Sequence, residues 1–225
     1  MHQLIKTAFE TCHFSNELHT TLLVLIPKNE RSESIKQFRP ISLCNVVYKI
    51  LTKVLVNRLK NCIGKLVNPL QASFVPGRHA ADNIIMAQEM VHNIRRSKAI
   101  NGGMMMKLDL EKAYDRVNWD FLMETLELFG FPNESLRLIK SCISTSTIAV
   151  LWNGEMTEPF CPSRGLRQGD PLSPYLFVLY LERLSRLVTR AVELNRWKPF
   201  EVCRGGLVIP SYFLLTTCCS LLKPI

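Results

Sequence analysis

No window of the chain approaches 18 consecutive apolar residues, and the N-terminus, MHQLIKTAFETCHF, lacks a basic stretch followed by an apolar run and a cleavage site. The first absence argues against a membrane-spanning helix and the second against a secretory leader. The eight cysteines, at 12, 44, 62, 142, 161, 203, 218 and 219, form no C-x-x-C pair and no regular ladder. Neither a zinc site nor a disulfide framework is indicated, and free thiols in a reducing compartment are expected. Internal repeats and low-complexity linkers are also missing. Acidic side chains are the scarcer charge: 19 Asp plus Glu stand against 28 Lys plus Arg, for a net charge of +9 and a pI near 9.3. Such an excess favours a polyanionic partner such as nucleic acid. An intracellular, soluble protein is the expectation, with cytoplasm and nucleus undistinguished because no dense basic cluster reads as a localisation signal.

What is present is a chain of 225 residues, 47% hydrophobic, able to bury a sizeable core as one large domain or two subdomains. TLLVLIPK (21–28) reads as a strand, and NERSESIKQ as the loop after it. In NVVYKILTKVLVNRLKNCIG, Val46, Val47, Ile50, Leu51, Val54, Leu55, Leu59 and Ile63 recur at helical spacing, with Asn45 as cap and Gly64 as stop. Helices are further predicted at 81–96, at 119–129 closed by Gly130 and Pro132, and at 134–143. Residues 104–110 read as a strand. Asn153-Gly154 supplies the two positive-φ positions of a type I′ turn between β-rich flanks. A long helix opens at Pro171 and Ser173-Pro174 and runs to about Asn195, with Leu176, Phe177, Tyr180, Leu181, Leu184, Leu187 and Val188 on one face.

Three constellations carry possible chemistry. MMMKLDLEKAYDRVNW (104–119) places Asp109 at the end of an apolar strand, where an isolated charge is costly. It either caps a turn or pairs with Lys107 or Lys112, or it holds Mg²⁺, which takes oxygen ligands and leaves room for phosphate. SRGLRQGDPLSPYLF (163–177) sets Gly165 and Gly169 around Arg167 and Gln168, so that a backbone approaches a ligand while a cation and an amide project. IPK (26–28) and FRPISL (38–43) put Lys28 and Arg39 at strand ends around a loop. A point charge and a planar fork suit a triphosphate, although two surface cations would read the same way.

In this order, LIPK, FRPISL, QASFVPGR, KLDLEKAYDRV and RGLRQGDPLSPYLF resemble a reverse transcriptase, most closely that of LINE-type (non-LTR) retrotransposons, over roughly residues 20–208. The resemblance implies an α+β right-hand polymerase: an upstream segment at 1–20, fingers at 21–100, and an incomplete palm at 101–208 whose antiparallel sheet packs on helices. The family's thumb would follow and is not found. By the same resemblance Asp109 would bind catalytic Mg²⁺, with the backbone carbonyl of Leu110 completing a metal shell. Tyr114 matches the steric gate under the sugar. Lys28 and Arg39 match cations on the incoming dNTP, and Gln168 and Gly169 the loop that positions the new base pair. Phe74, Arg78 and Arg167 fall at template-facing positions, and Asp115 is assigned a structural hydrogen bond. RNA template and DNA primer would be the partners, with no membrane.

Two-metal nucleotidyl transfer needs a second carboxylate, which the family supplies from a Phe-Ala-Asp-Asp hairpin after the long helix. Here the corresponding stretch, PSYFLLTTCCSLLKPI (210–225), holds no acidic residue. With synonymous codons chosen to fit, Phe-Ala-Asp-Asp-Leu-Leu-Leu-Phe-Ala-Glu-Ala read one base out of register gives Leu-Leu-Thr-Thr-Cys-Cys-Ser-Leu-Leu-Lys-Pro, the sequence from Leu214 to Pro224. Residues 209–225 therefore read as an out-of-frame tail. The expectation is a polymerase fragment without activity, the alternative a non-catalytic, basic RNA-binding remnant.

Overall fold

A computed structural model describes residues 2–12, 18, 20–96, 110–196, 200–201 and 208–209. The elements are α1 (His2–Thr11), β1 (Thr20–Pro27), β2 (Phe38–Cys44), α2 (Val46–Leu66), α3 (Ala80–Arg96), α4 (Trp119–Leu128), α5 (Asn133–Ser144), β3 (Thr147–Trp152), β4 (Glu155–Met156), α6 (Ser173–Glu193), β5 (Phe200–Glu201) and β6 (Val208–Ile209). The strand expected at 104–110 falls, apart from Leu110, outside the described residues. Among those described, no helix is long and apolar enough to cross a membrane.

Two compact units interleave along the chain: residues 1–61 with 112–180, and residues 62–111 with 181–225. The first holds a four-stranded sheet in the order β2-β1-β3-β4. β1 pairs antiparallel with β2, Ile26 opposite Arg39, and parallel with β3, Thr21 opposite Ile148. The α+β class holds and this sheet is mixed, while the strand of the antiparallel palm sheet expected to carry Asp109 lies outside the described residues. More than a hundred residues separate β1 from β3, ample for the crossover a parallel pair needs.

Local signals explain several element ends. The Asn45 side chain accepts the Val47 N–H at 2.9 Å, and Asn118 accepts that of Phe121 at 2.8 Å, so each satisfies a donor the helix leaves open. Past α4 the chain turns at Gly130, φ +80°, with Gly130 N–H donating to Glu127 and Phe131 N–H to Leu126, a Schellman closure. Asn153 and Gly154 take φ of +50° and +87° between β3 and β4, the expected hairpin.

Two helical faces depart from the periodicity reading. In α2 the buried line runs through Tyr48, Leu51, Leu55, Val56, Leu59 and Ile63, while Val46 is 66% exposed. The helix also continues past Gly64 to Leu66. In α6, Leu176, Phe177, Val178 and Leu179 are buried, but further along Glu182 and Ser185 lie inside while Leu184 and Leu187 are exposed. Glu182 accepts the Asn68 N–H at 3.0 Å. Burial pushes its carboxyl up, against the pull of that bond and of Arg186 and Arg78.

Candidate functional site

In the first unit the loop 165–170 is fastened on two sides. Toward the sheet, the Ser42 N–H donates to the Gln168 carbonyl at 2.7 Å. This uses the outer edge of β2, and Pro40, two residues earlier on that edge, has no N–H to leave unpaired. Gly169 sits at φ +112°, where a Cβ would lie 2.8 Å from the Ser42 carbonyl oxygen, so no side chain fits. Toward the turn 112–117, Gly165 N–H donates to Val117 and Leu166 N–H to Tyr114, both at 2.8 Å, and Trp119 Nε1 donates to the Gly165 carbonyl at 2.7 Å. At Gly165, φ +95°, a Cβ would approach the Asp115 carbonyl to 3.1 Å. The glycines thus let the loop approach the protein's own backbone, where the sequence suggested approach to a ligand. FRPISL, AYDRV and RGLRQGD converge in this way.

Arg167 does not project from the loop. Its side chain is 7% exposed and that of Asp170 2%. Arg167 donates to Thr21 Oγ1 at 3.1 Å, to the Tyr48 hydroxyl and to the Cys142 carbonyl, and its guanidinium lies 4.2 Å from the Tyr48 ring centroid. The Tyr48 hydroxyl is 2.9 Å from Asp170 Oδ2 and 3.1 Å from the Cys142 carbonyl. It has one proton, which favours the anionic acceptor, and Arg167 serves the carbonyl. Asp170 Oδ1 accepts the Leu172 N–H at 3.0 Å. Burial first, and then the Asp170 carboxylate, hold the Tyr48 phenol well above its ordinary range. The Arg167 side chain, expected from sequence to face the template, is therefore placed in the interior of the first unit. Tyr48 and Asp170 were missed in the sequence, although a tyrosine on an otherwise apolar stripe was a signal that its hydroxyl needs a partner.

The other expected residues fall as follows. Tyr114, half-buried, stacks on Phe177 with centroids 4.7 Å apart. Arg39 is half-buried on β2, and Lys28 is exposed, its ammonium donating to the Lys36 carbonyl at 3.0 Å. Asp115 is half-buried, and burial pushes its carboxyl up while Lys112 and Lys28 pull it down. That places Lys28 in electrostatic reach of the turn beside Tyr114. Leu110 is exposed, and Asp109 lies outside the described residues. In the second unit Phe74 takes φ +59° and is 39% exposed. Arg78 donates to the carbonyls of Asn68 and Gln71 at 2.7 Å and of Gly64 at 3.0 Å, which closes the last turn of α2. It is thus engaged by its own backbone and not held out to a template. Among the described residues no three His, Cys, Asp or Glu side chains are grouped to hold a metal ion.

Gly169→Ala and Gly154→Ala share the positive-φ penalty of about 1–2 kcal/mol, but only the first meets backbone. Gly169→Ala should be the more destabilising by about 1–3 kcal/mol, the usual range for overpacking, measured as a larger fall in melting temperature. Equal melting temperatures for the two variants would contradict the docking of the loop on β2.

Residues 26–203 match the family model of reverse transcriptase (RNA-dependent DNA polymerase). The chain is 33% identical over 202 residues to the transposon TX1 uncharacterized 149 kDa protein of Xenopus laevis, covering 86% of this chain and 15% of that protein. It is 31% identical over 163 residues to the retrovirus-related Pol polyprotein from type-2 retrotransposable element R2DM of Drosophila melanogaster, covering 72% of this chain and 15% of that protein. A shorter stretch of 54 residues is 61% identical to the uncharacterized mitochondrial protein AtMg01250 of Arabidopsis thaliana, covering 24% of this chain and 44% of that protein. The chain therefore spans about 15% of the length of the two transposon relatives. Through that family match, and through relatives that are themselves retrotransposon proteins, the chain belongs to the reverse transcriptase family, as the reverse transcriptase domain of a LINE-type, non-LTR element.

Proposed function

We propose that this chain keeps the nucleotide-facing part of an RNA-directed DNA polymerase without itself completing polymerisation. The observation that carries the reading is the docking of the Gln168–Gly169 loop between β2 and the 112–117 turn. It brings the elements bearing Arg39, Tyr114 and Gln168 to one region of the first unit, with Lys28 in electrostatic reach of Asp115. In this reading Lys28 and Arg39 take the triphosphate of a dNTP. Arg39 supplies a fork for phosphate oxygens and Lys28 a point charge. Tyr114, held flat against Phe177, offers a rigid ring below the sugar, and Gln168 and Gly169 line the new base pair. Phe74, half out of its unit on a positive-φ backbone, remains the candidate for stacking on a template base. RNA template and DNA primer are the partners that the family implies.

The family is generally metal-dependent. When bound, Mg²⁺ would supply charge stabilisation at the reacting phosphate, and Asp109 and the Leu110 carbonyl are the groups this chain would bring to it. Among the described residues no three His, Cys, Asp or Glu side chains are grouped for the ion, and Asp115 lies in electrostatic reach of Lys112 and Lys28. What they offer without the ion is binding and orientation. Residues 210–225 hold no Asp or Glu, and in this reading a one-base shift of register over Leu214 to Pro224 accounts for the second pair of carboxylates not being encoded there. Electrostatic stabilisation is usually the largest catalytic contribution, and each ~1.36 kcal/mol lost costs tenfold in rate. The second reading, an RNA-binding remnant, is favoured by the +9 charge, since phosphate contacts need no metal.

In primer extension with Mg²⁺ and dNTPs the chain should give no incorporation above background. Templated incorporation that disappears in Asp109→Ala would overturn the inactivity. RNA affinity, measured by filter binding, should fall log-linearly with salt, with a slope of about −0.7 per phosphate neutralised, and show little sequence preference. A flat salt response would remove the remnant reading.

A further inference from the structure

Arg167 and Asp170 flank Gln168 and Gly169 in sequence, and both turn inward to one tyrosine. Their partners come from three separate elements: Thr21 on β1, Tyr48 on α2 and the Cys142 carbonyl on α5. On its outer side the Gln168–Gly169 end of the same loop lies on the edge of β2, where the Ser42 N–H donates to the Gln168 carbonyl, while its Gly165–Leu166 end is tied to the 112–117 turn. A buried ion pair is a poor device for stability, because desolvation offsets its attraction and apolar side chains of similar volume serve as well. What it supplies is direction: a planar guanidinium, a carboxylate and a phenol each accept only a narrow set of angles.

We infer that the buried Arg167–Tyr48–Asp170 cluster is the positioning element of the nucleotide site, setting how far and at what angle Gln168 and Gly169 stand out from the first unit. The inference rests on the reading that this pair faces the incoming nucleotide. None of the three side chains touches the nucleotide. They act through the two residues between them, as a clasp closed at positions 167 and 170. Removing the Tyr48 hydroxyl leaves its ring under the guanidinium and Asp170 Oδ1 on Leu172, but it takes the donor from Oδ2 and lets the loop pivot on Ser42.

The test is the affinity of the full chain for a fluorescent dATP analogue, titrated well below the melting temperature so that folded molecules are compared. The unaltered chain should bind. Tyr48→Phe should weaken binding by about tenfold, the size of one lost hydrogen bond to a charged group. Arg167→Lys should do the same, because a single ammonium cannot reach Thr21, Tyr48 and Cys142 as a fork does. Leu126→Ala, a cavity in the core of α4 outside the cluster, should lower the melting temperature at least as far and leave affinity within about twofold. A Tyr48→Phe protein that melts lower but binds as tightly as the unaltered chain would reduce the cluster to a structural role and overturn the inference alone. Absence of binding by the unaltered chain would remove the functional reading, and the inference with it. If Tyr48→Phe does not fold, Asp170→Asn, which keeps the acceptor to Leu172 and loses the charge, decides in the same way.

Discussion

The contact between the α-carbon of Gly169 and the Ser42 carbonyl is the constraint from which the rest of the site follows. A Cβ at that position would lie 2.8 Å from the oxygen, so the loop can lie on β2 only because residue 169 has none. With the loop seated there, Gln168 bonds Ser42 and the neighbours at 165 and 166 reach the turn that carries Tyr114 and Asp115. Three stretches distant in sequence are joined there by backbone hydrogen bonds, with the Trp119 indole added on the Gly165 carbonyl. The backbone polar groups that the approach of the loop buries are thereby satisfied, as burial requires.

Beneath that surface the first unit buries a charge pair with its hydrogen bonds made. Burial disfavours the Arg167 cation, yet Tyr48 and Asp170 beside it outweigh that cost and hold it charged. The same interior pushes the Cys142 and Cys44 thiols up, so neither is poised as a nucleophile. The second unit uses the same solution on a smaller scale. Arg78 gathers three carbonyls around the end of α2, and Glu182 takes a backbone N–H from the segment that Arg78 closes.

Features whose cause is local were legible in the sequence. Asn45, Gly130 and Asn153-Gly154 act within a few residues of themselves, and the structure finds each in its expected role. The parallel pairing of β1 with β3 was not legible, because strand direction is decided by everything between them. Arg167 and Arg78 read as outward cations since a lone charge belongs in water, and nothing near them in sequence announces the carbonyls and the tyrosine that receive them. The apolar stripe of α6 misled for a related reason. Its second half buries Glu182 against a backbone donor and exposes Leu187, an exchange that only the tertiary partner explains. The family motifs were the strongest signal of all, because five ordered segments carry more information than any periodicity.

Photo-crosslinking with an 8-azido-dATP probe, followed by peptide mapping of the labelled 225-residue chain, tests the central claim most directly. If the docked loop builds a nucleotide-facing surface, label should concentrate in peptides that contain Arg39, Tyr114 or Gln168 and be competed by unlabelled dNTP. Label spread over the basic surface without competition, or confined to peptides of α4 and α5, would contradict it.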